Sequence, residues 1–243
     1  MSAAVTDTAA PPAGNPLAVH EGVKPTIPLL LGFFVVHVAV WIGLILLVPG
    51  DDGVDYVDLG ILGTPWVRQF IIPLLVVLAI QIAFISRMGW WKSVMGEPSR
   101  TSRTWLVVFP VLILLVGLLR LAGEGLGTDA GASYLIACFV TMALVGTTEE
   151  LSFRGVHLVG ARRIFTREWQ AVVFSAALFG LFHTPNILIG AEVGAAIAQT
   201  FLTAILGLAF YCLRRVSGTL IPCIVLHALY DFMLIQGNWD KLL

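Results

Sequence analysis

The chain has 243 residues, 58% of them hydrophobic and 12% charged, with a formal net charge of -1. Soluble domains carry about 25% charged residues, so this composition, with a mean hydropathy of +0.93, excludes a soluble globular domain, a disordered chain and a disulfide-stapled scaffold. No basic patch stands clear of the apolar runs, which excludes a nucleic-acid binder.

What remains is an all-α polytopic membrane helix bundle, because lipid admits only helices or closed barrels and there is no sustained two-residue alternation. Residues 1–24 are rich in Ala, Pro and Thr and read as a disordered cytoplasmic tail. The uncharged run Pro25 to Gly50 follows as the first membrane helix; no small-residue cleavage site comes after it, so it reads as a retained signal anchor. Further uncharged runs cover Gln69 to Ser86, Thr104 to Leu119, Ala130 to Thr148, Trp169 to Ala191, Val193 to Leu213 and Val216 to Tyr230. Crossing the bilayer takes about 20 helical residues, so the Thr104 and Val216 runs need their flanks to complete a span. The expected count is seven transmembrane helices.

Basic residues collect in alternate connections. Arg87, Lys92, Arg100 and Arg103 follow the second helix, Arg162, Arg163 and Arg167 the fourth, and Arg214 and Arg215 the sixth. The connections between them hold Asp51, Asp52, Asp55 and Asp58, then Glu124 and Asp129. That asymmetry puts the N-terminus in the cytoplasm. Cys138, Cys212 and Cys223 lie in apolar segments without a CxxC pair and read as packing residues. Short loops and compact size suggest a bacterial plasma-membrane protein.

Ionisable side chains are costly inside a membrane, so each asks for a reason. Glu149, Glu150 and Arg154 stand at the expected cytoplasmic end of the fourth helix, His183 in the fifth, His227 and Asp231 in the seventh, and His37 in the first. Glu150 and Arg154 are four apart, as are Phe179 and His183, and His227 and Asp231; such pairs share a helix face. Glu149 is rotated by about 100° from Glu150. The simplest division pairs Glu150 with Arg154 and frees Glu149 to face the bundle, with the reverse assignment also open. Each site has a plain structural reading as well: a neutralised pair at an interface, a local pair holding the last helix, or, for His37, a hydrogen bond to a neighbouring carbonyl. Asn186 reads as a helix cap or as a residue lining the site.

Gathered together, these groups suit hydrolysis. A carboxylate beside an imidazole can deprotonate water, and polar groups on a facing helix can stabilise an oxyanion. The set Glu149, His183, His227 and Asp231 also suits a divalent metal, with Zn²⁺ the best match to mixed imidazole and carboxylate donors. The HExxH signature is missing.

Glu149-Glu150-x-x-x-Arg154, Phe179-x-x-x-His183 and His227-x-x-x-Asp231 resemble, in order, the motifs EExxxR, FxxxH and HxxxN/D of the CAAX protease and bacteriocin-processing (CPBP, Abi) family of intramembrane endopeptidases. The resemblance covers roughly Ser133 to Gln236. It divides the chain into the tail at 1–24, three N-terminal helices at 25–132 that carry no motif, and a catalytic core at 133–243. It implies a conical cavity among helices 4–7, open to the cytoplasm. There, Glu149 and His183 activate the attacking water, His227 and Asp231 hold the oxyanion, and Glu150 and Arg154 support the site. Phe179 and Asn186 are expected at the substrate cavity. The resemblance leaves open whether the chemistry is glutamate-type or metal-dependent. Asp231 stands where many members have Asn; an ionised Asp cannot donate to an oxyanion, so it is protonated, orients His227, or binds a metal.

The partners expected are the lipid bilayer and a membrane-associated or small peptide substrate; the sequence carries no signal for oligomeric state. Two other classes compete with the protease: a proton-coupled transporter using these residues as a relay, and a non-proteolytic bacteriocin-immunity or binding protein on the same fold. One geometric difficulty stands out. If the fifth helix starts near Trp169 at the cytoplasmic face, His183 lies about 21 Å in, while Glu149 belongs nearer that face.

Overall fold

The computed structural model describes residues 14–47, 67–124 and 131–235. Asp51, Asp52, Asp55, Asp58, Asp129 and the first 13 residues of the expected tail lie outside the described residues. The helices are α1 (Ile27–Leu47), α2 (Ile72–Met88), a short α3 (Trp91–Met95), α4 (Val108–Glu124), α5 (Gly131–Glu150), α6 (Leu158–Arg162), α7 (Glu168–His183), α8 (Val193–Ser217) and α9 (Ile221–Ile235). A π-helical segment, Leu151–His157, joins α5 to α6 without a break, and the 3₁₀ turn Thr184–Ile189 continues α7. Among the described residues there is no strand, only an isolated bridge between Gly96 and Thr219.

Five stretches are long and apolar enough to cross a membrane: Ile27–Leu47, Thr104–Gly123, Leu135–Arg162, Glu168–Ile189 and Val193–Ser217. Ile72–Met88 and Ile221–Ile235 are shorter apolar helices between them. All seven overlap the uncharged runs, and the chain is an integral membrane protein. Its outer faces are apolar, as lipid requires, with Leu47, Ile136, Phe201 and Ile205 exposed. Polar groups turn inward. The span Leu135–Arg162 is half buried, against 17–44% for the other four. It forms the central rod, flanked by α9, α2 and α7.

Two glycines bring the site-bearing helices together. A Cβ on Gly180 of α7 would sit 2.4 Å from the Thr200 carbonyl oxygen of α8. One on Gly146 of α5 would sit 3.0 Å from the α9 backbone at Ile224 and Ala228, beside His227. Backbones this close admit no side chain between them.

The basic ends of α6 and α8 are not free loop charges. Glu97 has no exposed side-chain surface and gathers three arginines. Arg162 donates from Nη1 to Oε1 at 2.8 Å and from Nη2 to Oε2 at 3.1 Å. Arg214 Nε donates to Oε1 at 2.5 Å and Arg215 Nη1 to Oε2 at 2.6 Å. The remaining Arg214 N–H groups reach the carbonyls of Ser93, Val94, Gly96 and Arg154. Burial alone would raise the Glu97 carboxyl; the Arg162 and Arg214 guanidiniums beside it more than reverse that, bringing its pKa to about 2.

Residues 14–24, which the sequence assigns to a disordered tail, are held across this end of the bundle. Val23 accepts from Trp90 Nε1 at 2.9 Å and donates to the Met88 carbonyl at 2.8 Å. Glu21 accepts from both the amide and the hydroxyl of Ser93, and Asn15 donates to Glu168. A short segment of this kind lacks the apolar area to fold alone, but here partner groups on the helices fix it.

Candidate active site

The fourth expected helix does not end near Glu150. It continues through Leu151–His157 in the wider π pitch and on to Arg162, with all seven π residues buried. Such segments recur at functional sites because they turn side chains out of the ordinary α register. At the change of pitch, Gln81 of α2 donates from Nε2 to the Thr148 carbonyl at 2.9 Å. The continuation removes the difficulty of depth. Glu149 lies 13 residues before Arg162 and His183 lies 15 after Glu168, each about 20 Å from its own helix end. Glu149 and His183 line the same cavity.

Glu150 is fully buried and fully engaged. Arg154 Nε donates to its Oε2 at 2.6 Å and Arg154 Nη2 to its Oε1. His227 Nδ1 lies 2.8 Å from the same Oε1; since that carboxylate is paired with a guanidinium, the imidazole donates. The Arg154 guanidinium lies over the rings of Phe179, at 4.1 Å, and Phe210, at 4.9 Å. His227 stacks on Phe210 and meets Phe179 edge-on. Phe179 thus braces Arg154 and His227 as well as lining the cavity.

Glu149 is different. It is 8% exposed, and its Oε2 has no hydrogen-bond partner. That oxygen is 3.5 Å from His227 Nε2, and Asp231 Oδ2 is 3.4 Å from the same nitrogen. His227 therefore stands between Glu150 on one side and Glu149 and Asp231 on the other. His183 makes no ion pair with Glu149. Its Nδ1 lies 2.9 Å from the Phe179 carbonyl, which only accepts, so Nδ1 carries the proton and Nε2 of the neutral ring is an acceptor. Glu149, His183, Asn186, His227 and Asp231 all line one cavity of about 550 Å³, walled elsewhere by residues such as Trp41, Met142, Leu202 and Leu206.

Asn186 does not cap α8; Glu192 does, its Oε2 accepting from the Ala195 amide at 2.7 Å. Asn186 lies inside Thr184–Ile189 and donates to Gln199 Oε1 at 3.1 Å. His37 bonds not a carbonyl but the Ser152 hydroxyl, at 3.1 Å, packs on Phe182 and reaches the cavity. Sequence reasoning passed over Gln81, Gln199 and His157, the last buried between the Ser152 and Leu30 carbonyls. Among the described residues, no group of three or more His, Cys, Asp or Glu side chains is arranged to hold a metal ion. His227 spends Nδ1 on Glu150 and His183 spends Nδ1 on its own helix, which leaves Nε2 as the remaining nitrogen of each ring.

Residues 131–233 match the family described as Type II CAAX prenyl endopeptidase Rce1-like. This part of the chain, less than half of its length, is similar to that family. The match begins with α5 and closes within α9, so it takes in the π segment, the cavity acids and the cavity histidines His183 and His227. The matched core thus resembles that of a CAAX-type protease, with α1 to α4 outside the matched span. No curated protein and no solved structure matches the chain.

Proposed function

We propose that the protein is an intramembrane endopeptidase of the glutamate type that hydrolyses a peptide bond in a membrane-associated or small peptide substrate. Glu149 is the general base. It takes a proton from a water held between it and His183 Nε2, as the water oxygen bonds to the scissile carbonyl carbon. His227, oriented by Glu150 through Nδ1, turns Nε2 toward the oxyanion and donates to it when the ring carries both protons. Asp231 is a positioning residue that acts through His227. As the C–N bond breaks, Glu149 returns its proton to the leaving amine. Arg154 keeps Glu150 ionised and in place. The protein sits in a bacterial plasma membrane with its N-terminus cytoplasmic, the basic connections facing inward.

One observation carries this reading. Of two adjacent buried glutamates, Glu150 is saturated with hydrogen bonds while Glu149, on the cavity lining, keeps a buried oxygen without a hydrogen-bond partner. Peptide termini compared by mass spectrometry in membranes from cells with the intact protein and with Glu149→Gln test it. Termini lost only in the variant support proteolysis and name the substrate. Identical profiles at matched expression remove it.

A further inference from the structure

The proposed chemistry uses one side of the cavity. The facing wall, made by Thr184–Ile189 and the first half of α8, carries a polar pair that the chemistry leaves idle. Asn186 is more than nine-tenths buried, and its Nδ2 donates to Gln199 Oε1 at 3.1 Å. Both residues line the cavity. A single hydrogen bond between two primary amides leaves one carbonyl oxygen wholly free and one amino group with both protons unspent. That remains so whichever way either amide is turned. Neither leftover atom has a hydrogen-bond partner among the described residues, and neither is sealed from the cavity, unlike Gln81 Oε1 or Glu149 Oε2.

The pair is also fixed in place. The Asn186 carbonyl accepts from the Ala191 amide at 3.1 Å, closing a turn at Gly190 with φ 102°. On α8, Thr203 Oγ1 donates to the Gln199 carbonyl at 2.8 Å. The adjoining lining residues Ala191, Ala195, Ala196 and Ala198 are small, so another main chain can come close.

We propose that Asn186 and Gln199 form a subsite that holds the main chain of an extended peptide. The free Asn186 Oδ1 accepts one substrate N–H and the free Gln199 Nε2 donates to a substrate C=O. An acceptor beside a donor is the complement of a peptide backbone, whose N–H and C=O alternate along one edge. Asn186 is one helical turn beyond His183, so the held segment runs from this wall toward the water-activating groups. The subsite rests on the endopeptidase reading above and assigns its ligand by backbone rather than side-chain chemistry.

The test uses the full chain in proteoliposomes and a synthetic peptide copied from a junction cut only when Glu149 is intact. A second peptide set carries single backbone N-methyl groups along the same sequence. Gln199→Leu and Asn186→Leu are expected to raise KM by about tenfold with kcat little changed, since a lost hydrogen bond made equally in ground and transition states has that signature. In the intact protein one N-methyl position weakens binding by a similar factor; in Asn186→Leu that penalty disappears. Gln199 is only partly buried, and its variant keeps the test open where Asn186→Leu does not fold. Unchanged KM in the folded variants, or an N-methyl penalty equal in variant and parent, overturns the subsite while leaving the protease standing. If no junction depends on Glu149, the endopeptidase reading falls and takes the subsite with it.

Discussion

Two buried charge clusters share the central rod, and they are built to opposite rules. At its far end, Glu97 receives Arg162, Arg214 and Arg215, and both carboxylate oxygens are engaged. Arg214 in turn spends its other N–H groups on four backbone carbonyls. Half-way along the rod, Glu150, Arg154 and His227 close a similar knot, yet Glu149 Oε2 and Arg154 Nη1 are left buried without hydrogen bonds. A closed cluster has no group left to act on a substrate. An open one carries a standing cost for leaving polar groups unpaired, and that cost has a use only where something enters. The cavity of about 550 Å³ lies at the open cluster.

The contrast breaks first at Glu149. Glu149→Gln keeps the shape of the side chain and removes the base; cleavage falls by about 10²–10⁴-fold, while the melting temperature stays near the parent's because Oε2 makes no hydrogen bond to lose. Glu97→Gln does the reverse. It strands three guanidiniums around a neutral amide and costs about 3–5 kcal/mol of stability, read as a fall in melting temperature in detergent. Acid has the same effect on the closed cluster. The Glu97 pKa is depressed from 4.5 to about 2, so its contribution is complete above pH 4.5 and is lost as pH falls toward 2; thermal melts over that window show the parent weakening while Glu97→Gln stays flat.

Two milder changes sharpen the picture. Asp231→Asn supplies an amide where the carboxylate now faces His227 Nε2; because Asn can orient the ring or donate to an oxyanion, cleavage stays within about tenfold of the parent. Gln81→Leu leaves the Thr148 carbonyl without its partner at the change of helix pitch. Polar contacts inside membrane bundles are worth about 0.6 kcal/mol on average, so stability drops by about 1 kcal/mol or less, read from the same melts.

The parts of this arrangement that are local in sequence were legible there. Seven apolar runs located seven apolar helices, five of them long enough to span hydrocarbon, and spacing of four put Glu150 against Arg154 and Asp231 near His227. Long-range partners were not legible. Arg162, Arg214 and Arg215 look like ordinary basic loop residues until Glu97, 65 to 118 positions away, is brought among them. The charges of Thr147 to Arg154 suggested a helix end at the interface, whereas neutralisation by Arg154 and His227 lets the helix run on through a π segment that no periodicity announces. Gln81 and Gln199 are single uncharged residues in apolar runs; only the groups they meet across the bundle give them meaning.

The central claim is that the open cluster does the chemistry and the closed one holds the fold. Cleavage per folded molecule, measured for Glu149→Gln and Glu97→Gln in the same proteoliposomes on a Glu149-dependent junction peptide, tests it most directly. The account predicts a rate about 10²–10⁴-fold below the parent's for Glu149→Gln at a parental melting temperature, and close to the parental rate for the folded fraction of Glu97→Gln. Parental cleavage by folded Glu149→Gln would contradict it.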